Sequence, residues 1–194
     1  MWAEMLANLI KKGIKNIITM KNTQNTQTEM KEKLSAISYE DDLTVDPETR
    51  LTPHFKLKEF IVSGTAIKHN LDNNPSIEEV GRLQALAENV LEPLRRNFGA
   101  IRITSGYRSS KVNYLVGGSR TSQHLYGEAV DIFCDSTEKG RKYYQYILEH
   151  CEFDQMLLEF KGGRFPKLHC LHVSYRSDRG TNRKRCLSHY PVTK

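Results

Sequence analysis

No stretch of this 194-residue chain stays apolar for long enough to cross a bilayer, which excludes a helical membrane span. The apolar residues of 1–20 are interrupted by Lys11, Lys12 and Lys15, and no small-residue cleavage site follows them. They therefore make a poor signal peptide, and cytoplasmic synthesis is the expectation. Cys-x-x-Cys pairs are missing. Cys134, Cys151, Cys170 and Cys186 stand apart in the last third of the chain, so nothing suggests a cysteine-built zinc site. Without a secretory context their even count does not imply disulfides, and free buried thiols are expected. Internal repeats are absent. So is any nucleic-acid-binding motif, which leaves no specific nucleic acid among the expected partners.

What is present is a globular composition, 38% hydrophobic, with a net charge of +6. The length suits one domain plus an extra segment. Charge is uneven: residues 1–50 carry 7 basic and 8 acidic groups, the remainder 22 and 15. After Tyr175, Arg176, Arg179, Arg183, Lys184, Arg185 and Lys194 face only Asp178. Residues 176–194 thus read as a basic tail, either merely solvated or drawn to polyanions. At the other end, Trp2, Met5, Leu6, Leu9, Ile10, Ile14, Ile17 and Ile18 recur at helical spacing. They predict an amphipathic helix over 1–20, suited to a membrane surface, to a partner or to the domain itself. Polar Lys21–Thr28 and acidic Glu40–Glu48 complete residues 1–50 as helix plus flexible linker. The folded domain is expected over 51–175. The oligomeric state has no signature.

Within that domain the elements alternate. Ser76 and Glu79 form a capping-box pair, and Val80, Leu83, Leu86, Ala87, Val90, Leu91, Leu94 and Phe98 continue as an apolar stripe. Pro93 predicts a kink and Gly99 a stop. Strands are expected at 101–105, 128–133, 155–160 and 171–175, with a turn at Gly162-Gly163. Short helices are expected at 57–62 and 109–116. A longer one, capped by Asp135 and Glu138, runs to about Glu149. The class is α+β, a small antiparallel sheet flanked by helices.

Chemistry concentrates in Ser122-Gln123-His124-Leu125-Tyr126-Gly127-Glu128-Ala129-Val130-Asp131. An imidazole and a carboxylate stand seven residues apart with a glycine between them. In one unbroken strand they would point to opposite faces; a turn at Gly127 removes that conflict. His172 follows on a later strand, and if the two strands pair, Asp131 and His172 project side by side. Two histidines and one carboxylate are the ligand set of an open zinc site; a hydrogen-bonded structural role for each is the plainer alternative. Arg108 sits just past a strand end. Its planar fork suits a substrate carboxylate, and capping a turn at the surface is the competing role.

The pattern Ser122-x-His124-x-x-Gly127-x-Ala129-x-Asp131 with His172-Val173-Ser174 resembles the zinc D-alanyl-D-alanine carboxypeptidase family of murein peptidases. That family shares its fold with the hedgehog signalling domain. Phe55-x-Leu57-x-Glu59-Phe60, Ser105-Gly106-Tyr107-Arg108-Ser109, Val116-Gly117-Gly118-Ser119 and Phe153-Asp154-Gln155 extend the match, which is nearest the small branch of bacteria and their phages. The resemblance implies a Zn2+ held by His124, Asp131 and His172, and peptidoglycan stem peptides as substrate. Arg108 would hold or polarise the substrate, with Ser122 and Gln155 lining the pocket. Several relatives carry a glutamate general base three residues before the last histidine ligand; here that position is His169. His169 is the preferred base and Glu159 its competitor, although His169 reaches the metal side only if residues 166–170 are irregular. A non-catalytic zinc module, binding wall fragments or a protein partner, and a phage structural or lysis component are the alternatives.

Overall fold

The computed structural model describes residues 45–162, 164 and 166–189. The helix expected over 1–20 and most of the linker lie outside them. The folded unit begins before Leu51: Lys58 N donates to the Pro47 carbonyl at 2.8 Å, and Leu57 N to that of Thr49 at 2.9 Å. Two short helices follow, α1 (Lys58–Ile61) and α2 (Gly64–His69).

The main helical ridge begins as α3 (Ile77–Leu86), and the predicted capping box is formed. Ser76 Oγ accepts from Glu79 N at 3.4 Å, and Glu79 Oε2 accepts from Ser76 N at 2.8 Å. The predicted kink takes the form of a wide π turn over Ala87–Leu91 before the helix resumes as α4 (Glu92–Phe98). Pro93 has no N–H to donate, and a widened turn is one of the ways a helix absorbs that gap. Gly99, at φ 77°, ends it. The stripe from Val80 to Leu94 is buried throughout and faces the core.

The sheet is built from β1 (Ile103–Ser105), β2 (Ala129–Phe133), β3 (Gln155–Lys161), β4 (Lys167–Ser174) and β5 (Arg185–His189), in the order β1-β2-β4-β3-β5. The first four pair antiparallel, in line with their alternation. The fifth joins β3 in parallel, so the sheet is mixed rather than purely antiparallel. It comes from the segment that composition presents as a tail. A short strand on a sheet edge, Arg185-Cys186-Leu187-Ser188-His189, has too few apolar residues to reveal itself by periodicity. Between the strands lie α5 (Ser110–Leu115), a 3₁₀ turn over Gln123–Tyr126, and α6 (Thr137–His150). The cap of α6 is Ser136, whose Oγ accepts from Lys139 N at 3.1 Å, rather than Asp135. Asp135 instead pairs with Lys139 Nζ at 2.9 Å.

One sheet face is the core: Val130, Ile132, Met156, Leu171 and Val173 are all fully buried on it. The other carries Asp131, Leu157, Cys170, His172 and Ser174. Its floor is set by register, since Asp131 and Leu157 flank His172 on the two neighbouring strands. Glu159 pairs with Cys170 but Phe160 with Leu168, so His169 is the extra residue of a β-bulge.

Candidate metal and catalytic site

Three elements bring three ligand candidates together. The 3₁₀ turn supplies His124, β2 supplies Asp131 and central β4 supplies His172; all three are buried. Gly127 makes this possible at φ 69°, the left-handed conformation that caps the turn and starts β2 in the required phase. The turn is also pressed close to α3, because a Cβ on Gly127 would stand 2.5 Å from the Glu79 carbonyl oxygen.

The ligand atoms converge. His172 Nδ1 lies 2.9 Å from Asp131 Oδ1, His124 Nε2 lies 3.3 Å from the same oxygen, and the two imidazole nitrogens are 3.3 Å apart. Zinc bonds of about 2.0–2.2 Å at tetrahedral angles place neighbouring ligand atoms about 3.3–3.6 Å apart. The triangle is close to that size, which would leave the fourth corner of a tetrahedron free.

Donor chemistry supports the same occupant. His124 Nδ1 is 2.6 Å from the Gly106 carbonyl, which can only accept, so the ring proton sits on Nδ1. Nε2 is then a lone pair directed at His172 Nδ1 and an Asp131 oxygen, with Arg108 Nη2 3.3 Å away as a donor beside it. Two imidazole nitrogens and a carboxylate oxygen converging in this way can hold a cation between them, and the Gly106 contact is the kind of outer bond that orients a metal-binding histidine. Burial lowers the His124 pKa against the pull of Asp131, which keeps the ring neutral, as ligation requires. Burial would raise that of Asp131, but the two imidazoles outweigh it and hold the carboxyl well below the usual range. His124, Asp131 and His172 thus fit a zinc ion in ligand type and spacing.

Around the triangle lies a cavity of about 490 Å³ lined by Arg108, Ser122, His124, Gln155, Glu159 and His172, among others. Ser122 and Gln155 are therefore both at its wall. Arg108 is tied inward: its Nη2 donates to Asp131 Oδ2 at 2.7 Å and its Nε to Ser105 Oγ at 2.9 Å. It orients the Asp131 carboxylate as well as lining the cavity.

The two base candidates are placed differently. Glu159 lines this cavity and also an adjoining one of about 630 Å³, with its carboxylate within 4.8 Å of both Asp131 and Cys170. His169 is exposed and lines only the adjoining cavity, which Asp131 and Arg108 also reach. Its access comes from the bulge in β4, the irregularity that strand parity demanded. The Cys170 thiol lies 3.6 Å from Glu159 Oε2, and burial pushes its pKa up, so it stays protonated. The cysteines are all free; Cys134, Cys151 and Cys170 are buried, whereas Cys186 is exposed.

Sequence reasoning missed three contributors. Gly106 supplies the carbonyl that orients His124, and Arg176 and Arg183 line the cavity from the segment after β4. Gly106 stands in the Ser105–Ser109 motif, but nothing in a sequence shows which backbone carbonyl a histidine will meet. The arginines left only the composition of a tail as their signal.

No curated protein matches the chain. A family model described as Peptidase M15 matches residues 53–164, more than half of it, a span that includes His124, Asp131 and Arg108. His172 follows eight residues later, on the strand that pairs with Asp131. The M15 family is zinc-dependent, in keeping with the ligand geometry, and this chain is one of its metallopeptidases.

Proposed function

We propose that this protein hydrolyses the stem peptides of peptidoglycan, as a D-alanyl-D-alanine carboxypeptidase or a murein endopeptidase, with Zn2+ held by His124, Asp131 and His172. The observation that carries the reading is the 2.9–3.3 Å ligand triangle opening into a cavity that also contains a carboxylate and a guanidinium. When bound there, zinc supplies a Lewis acid and lowers the pKa of water to about 7.

The chain's own groups would do the rest. Glu159 is the better-placed general base: its carboxylate shares the cavity with both histidine ligands, and Leu157 beside it gives that floor an apolar patch. It takes a proton from the attacking water and passes it to the leaving amine nitrogen. Arg108 fixes Asp131 and adds positive charge where the carbonyl oxygen becomes anionic. Ser122 and Gln155 offer side-chain hydrogen bonds along the wall to the peptide backbone. His169, across the bulge, is exposed and lines the adjoining cavity rather than the one with both histidines, and is assigned the lesser role.

Digestion of purified peptidoglycan by the zinc-loaded protein, with mass spectrometry of the products, tests this and names the bond. Release of D-alanine or of cleaved stems is expected. Intact muropeptides, with zinc bound at one per chain, would instead favour the non-catalytic zinc module.

A further inference from the structure

Two of the short helices give little of their apolar surface to the core. The buried apolar side chain of α2 is Ala66 and that of α5 is Val112. Their larger apolar neighbours point to water: Ile67 is 75% exposed and Tyr114 82%, and Leu115, Val116 and Val62 are exposed beside them. These five make up more than half of the eight exposed large apolar side chains among the described residues.

The five are contiguous. Val62 and Ile67 share a hollow of about 480 Å³ with Leu71, and Leu71 shares another of about 400 Å³ with Tyr114 and Leu115. Val62 and Val116 meet again at the rim of the 630 Å³ cavity. Phe133, exposed elsewhere, is roofed by the Arg102 guanidinium 3.7 Å above its ring; Tyr114 has no such cover among the described residues. A joined apolar surface with no internal use marks a place of contact.

The charge around it has one sign in excess. Residues 56–71 and 110–120 carry 5 basic side chains and 1 acidic. Lys56 and Lys58 share a single carboxylate, that of Glu48, at 2.8 and 2.7 Å. Lys68, next to Ile67, and Lys111, in the hollow with Tyr114, have no acid partner among the described residues. With Glu48 and Asp72 counted in, two positive charges remain over.

This pairing of side chains narrows the occupant. A soluble polyanion would use the lysines and leave the apolar groups idle, and a purely apolar partner would strand the ammonium groups. An anionic bilayer uses both at one depth. Lysine stems lie along apolar surface while their charges reach the headgroups, and a tyrosine ring sits at that boundary with its hydroxyl wet.

We propose that the face formed by α2 and α5 binds the surface of a membrane rich in anionic lipid. Ile67, Tyr114 and Leu115 enter the headgroup region, and Lys68 and Lys111 meet lipid phosphates. Because Val62 and Val116 belong to this face and to the cavity rim, docking sets the cavity mouth beside the bilayer. The inference stands apart from the peptidase reading, since lipid attachment needs neither metal nor turnover.

The test uses the full chain and unilamellar vesicles, either of equimolar phosphatidylcholine and phosphatidylglycerol or of phosphatidylcholine alone. Cosedimentation is expected with the first, and weaker by about tenfold or more with the second or at high salt. Tyr114→Ser/Leu115→Ser and Lys68→Glu/Lys111→Glu should each weaken partition to anionic vesicles by about tenfold or more, with unchanged melting temperatures. Depth is read separately. Trp2 is the single tryptophan, so in a Trp2→Phe background Tyr114→Trp reports on this face alone. Its emission should move to the blue on adding anionic vesicles and be quenched by lipids brominated in the acyl chain. Absence of vesicle binding overturns the proposal. So does wild-type binding by both double variants, as when residues 1–20 alone carry attachment, or an emission that neither shifts nor is quenched. Dimerisation lost in the same variants, without vesicle binding, would give the face to a second copy of the chain instead.

Discussion

At the scale of single residues, the site turns on which atoms lack an alternative partner. The Nε2 of His124 and the Nδ1 of His172 converge on one oxygen of Asp131, so replacing either should remove metal and activity together. Expected for His124→Ala or His172→Ala is at least about a hundredfold loss of zinc affinity with no measurable turnover, checked by metal analysis and peptide hydrolysis. Glu159→Gln should keep zinc and lose turnover by about a hundredfold or more, whereas His169→Ala should change it by only a few-fold. The reverse pattern would give the base to His169. Asp154 makes a different prediction. Burial favours its neutral form, but Arg183 and Arg176 overcome this and depress its pKa. A depressed carboxylate stabilises the fold above its unfolded pKa of about 3.9 and ceases to do so as pH falls through the lower folded value. Asp154→Asn should therefore cost about 2–3 kcal/mol at pH 7, the half-exposed Arg183 limiting the loss. Urea melts at pH 7 and pH 3 should show that difference shrinking in acid.

At the scale of elements, the geometry of the site depends on two departures from regular structure. The first is the left-handed Gly127, without which His124 and Asp131 would face opposite ways. Gly127→Ala combines an αL penalty of about 1–2 kcal/mol with a Cβ driven into the Glu79 carbonyl. Lower melting temperature and weaker zinc binding should appear together, and a variant that binds zinc normally would show that the turn can re-form. The second departure is the bulge at His169, which turns a residue of the wrong parity towards the Asp131 side of the sheet. The two differ in how far a sequence announces them. A glycine between two candidate ligands is visible, and its conformational freedom has an evident use. A bulge depends on the register of two strands against each other, and no local signal in residues 166–170 encodes it. The same contrast holds for the helices: the capping box and Pro93 are local chemistry and could be read, whereas the π turn that answers Pro93 belongs to the helix as a whole.

At the scale of the whole molecule, the α+β architecture and the ligand-bearing strands were legible because alternation and periodicity are imposed by burial on one face. The fifth strand was not, because what holds it is backbone pairing to β3 and arginine–carboxylate contacts, neither of which leaves an apolar pattern. A protein ending at Tyr175 would lose β5, expose the edge of β3 and strip Asp154 of its arginines. It should be markedly less stable or insoluble, measured by thermal melting or by the soluble fraction on expression. Truncation after residue 189 should leave the described fold unchanged by the same measures.

The position of β4 has a further consequence for how such a molecule comes into being. It is the middle strand of the sheet yet the fourth to be synthesised, and it inserts between partners that have already left the ribosome. Contacts of that sequence separation are slow to form. Since β4 also carries His172, hydrolytic competence cannot precede the moment the sheet closes. The time at which the chain first retains zinc is a clock for its own maturation.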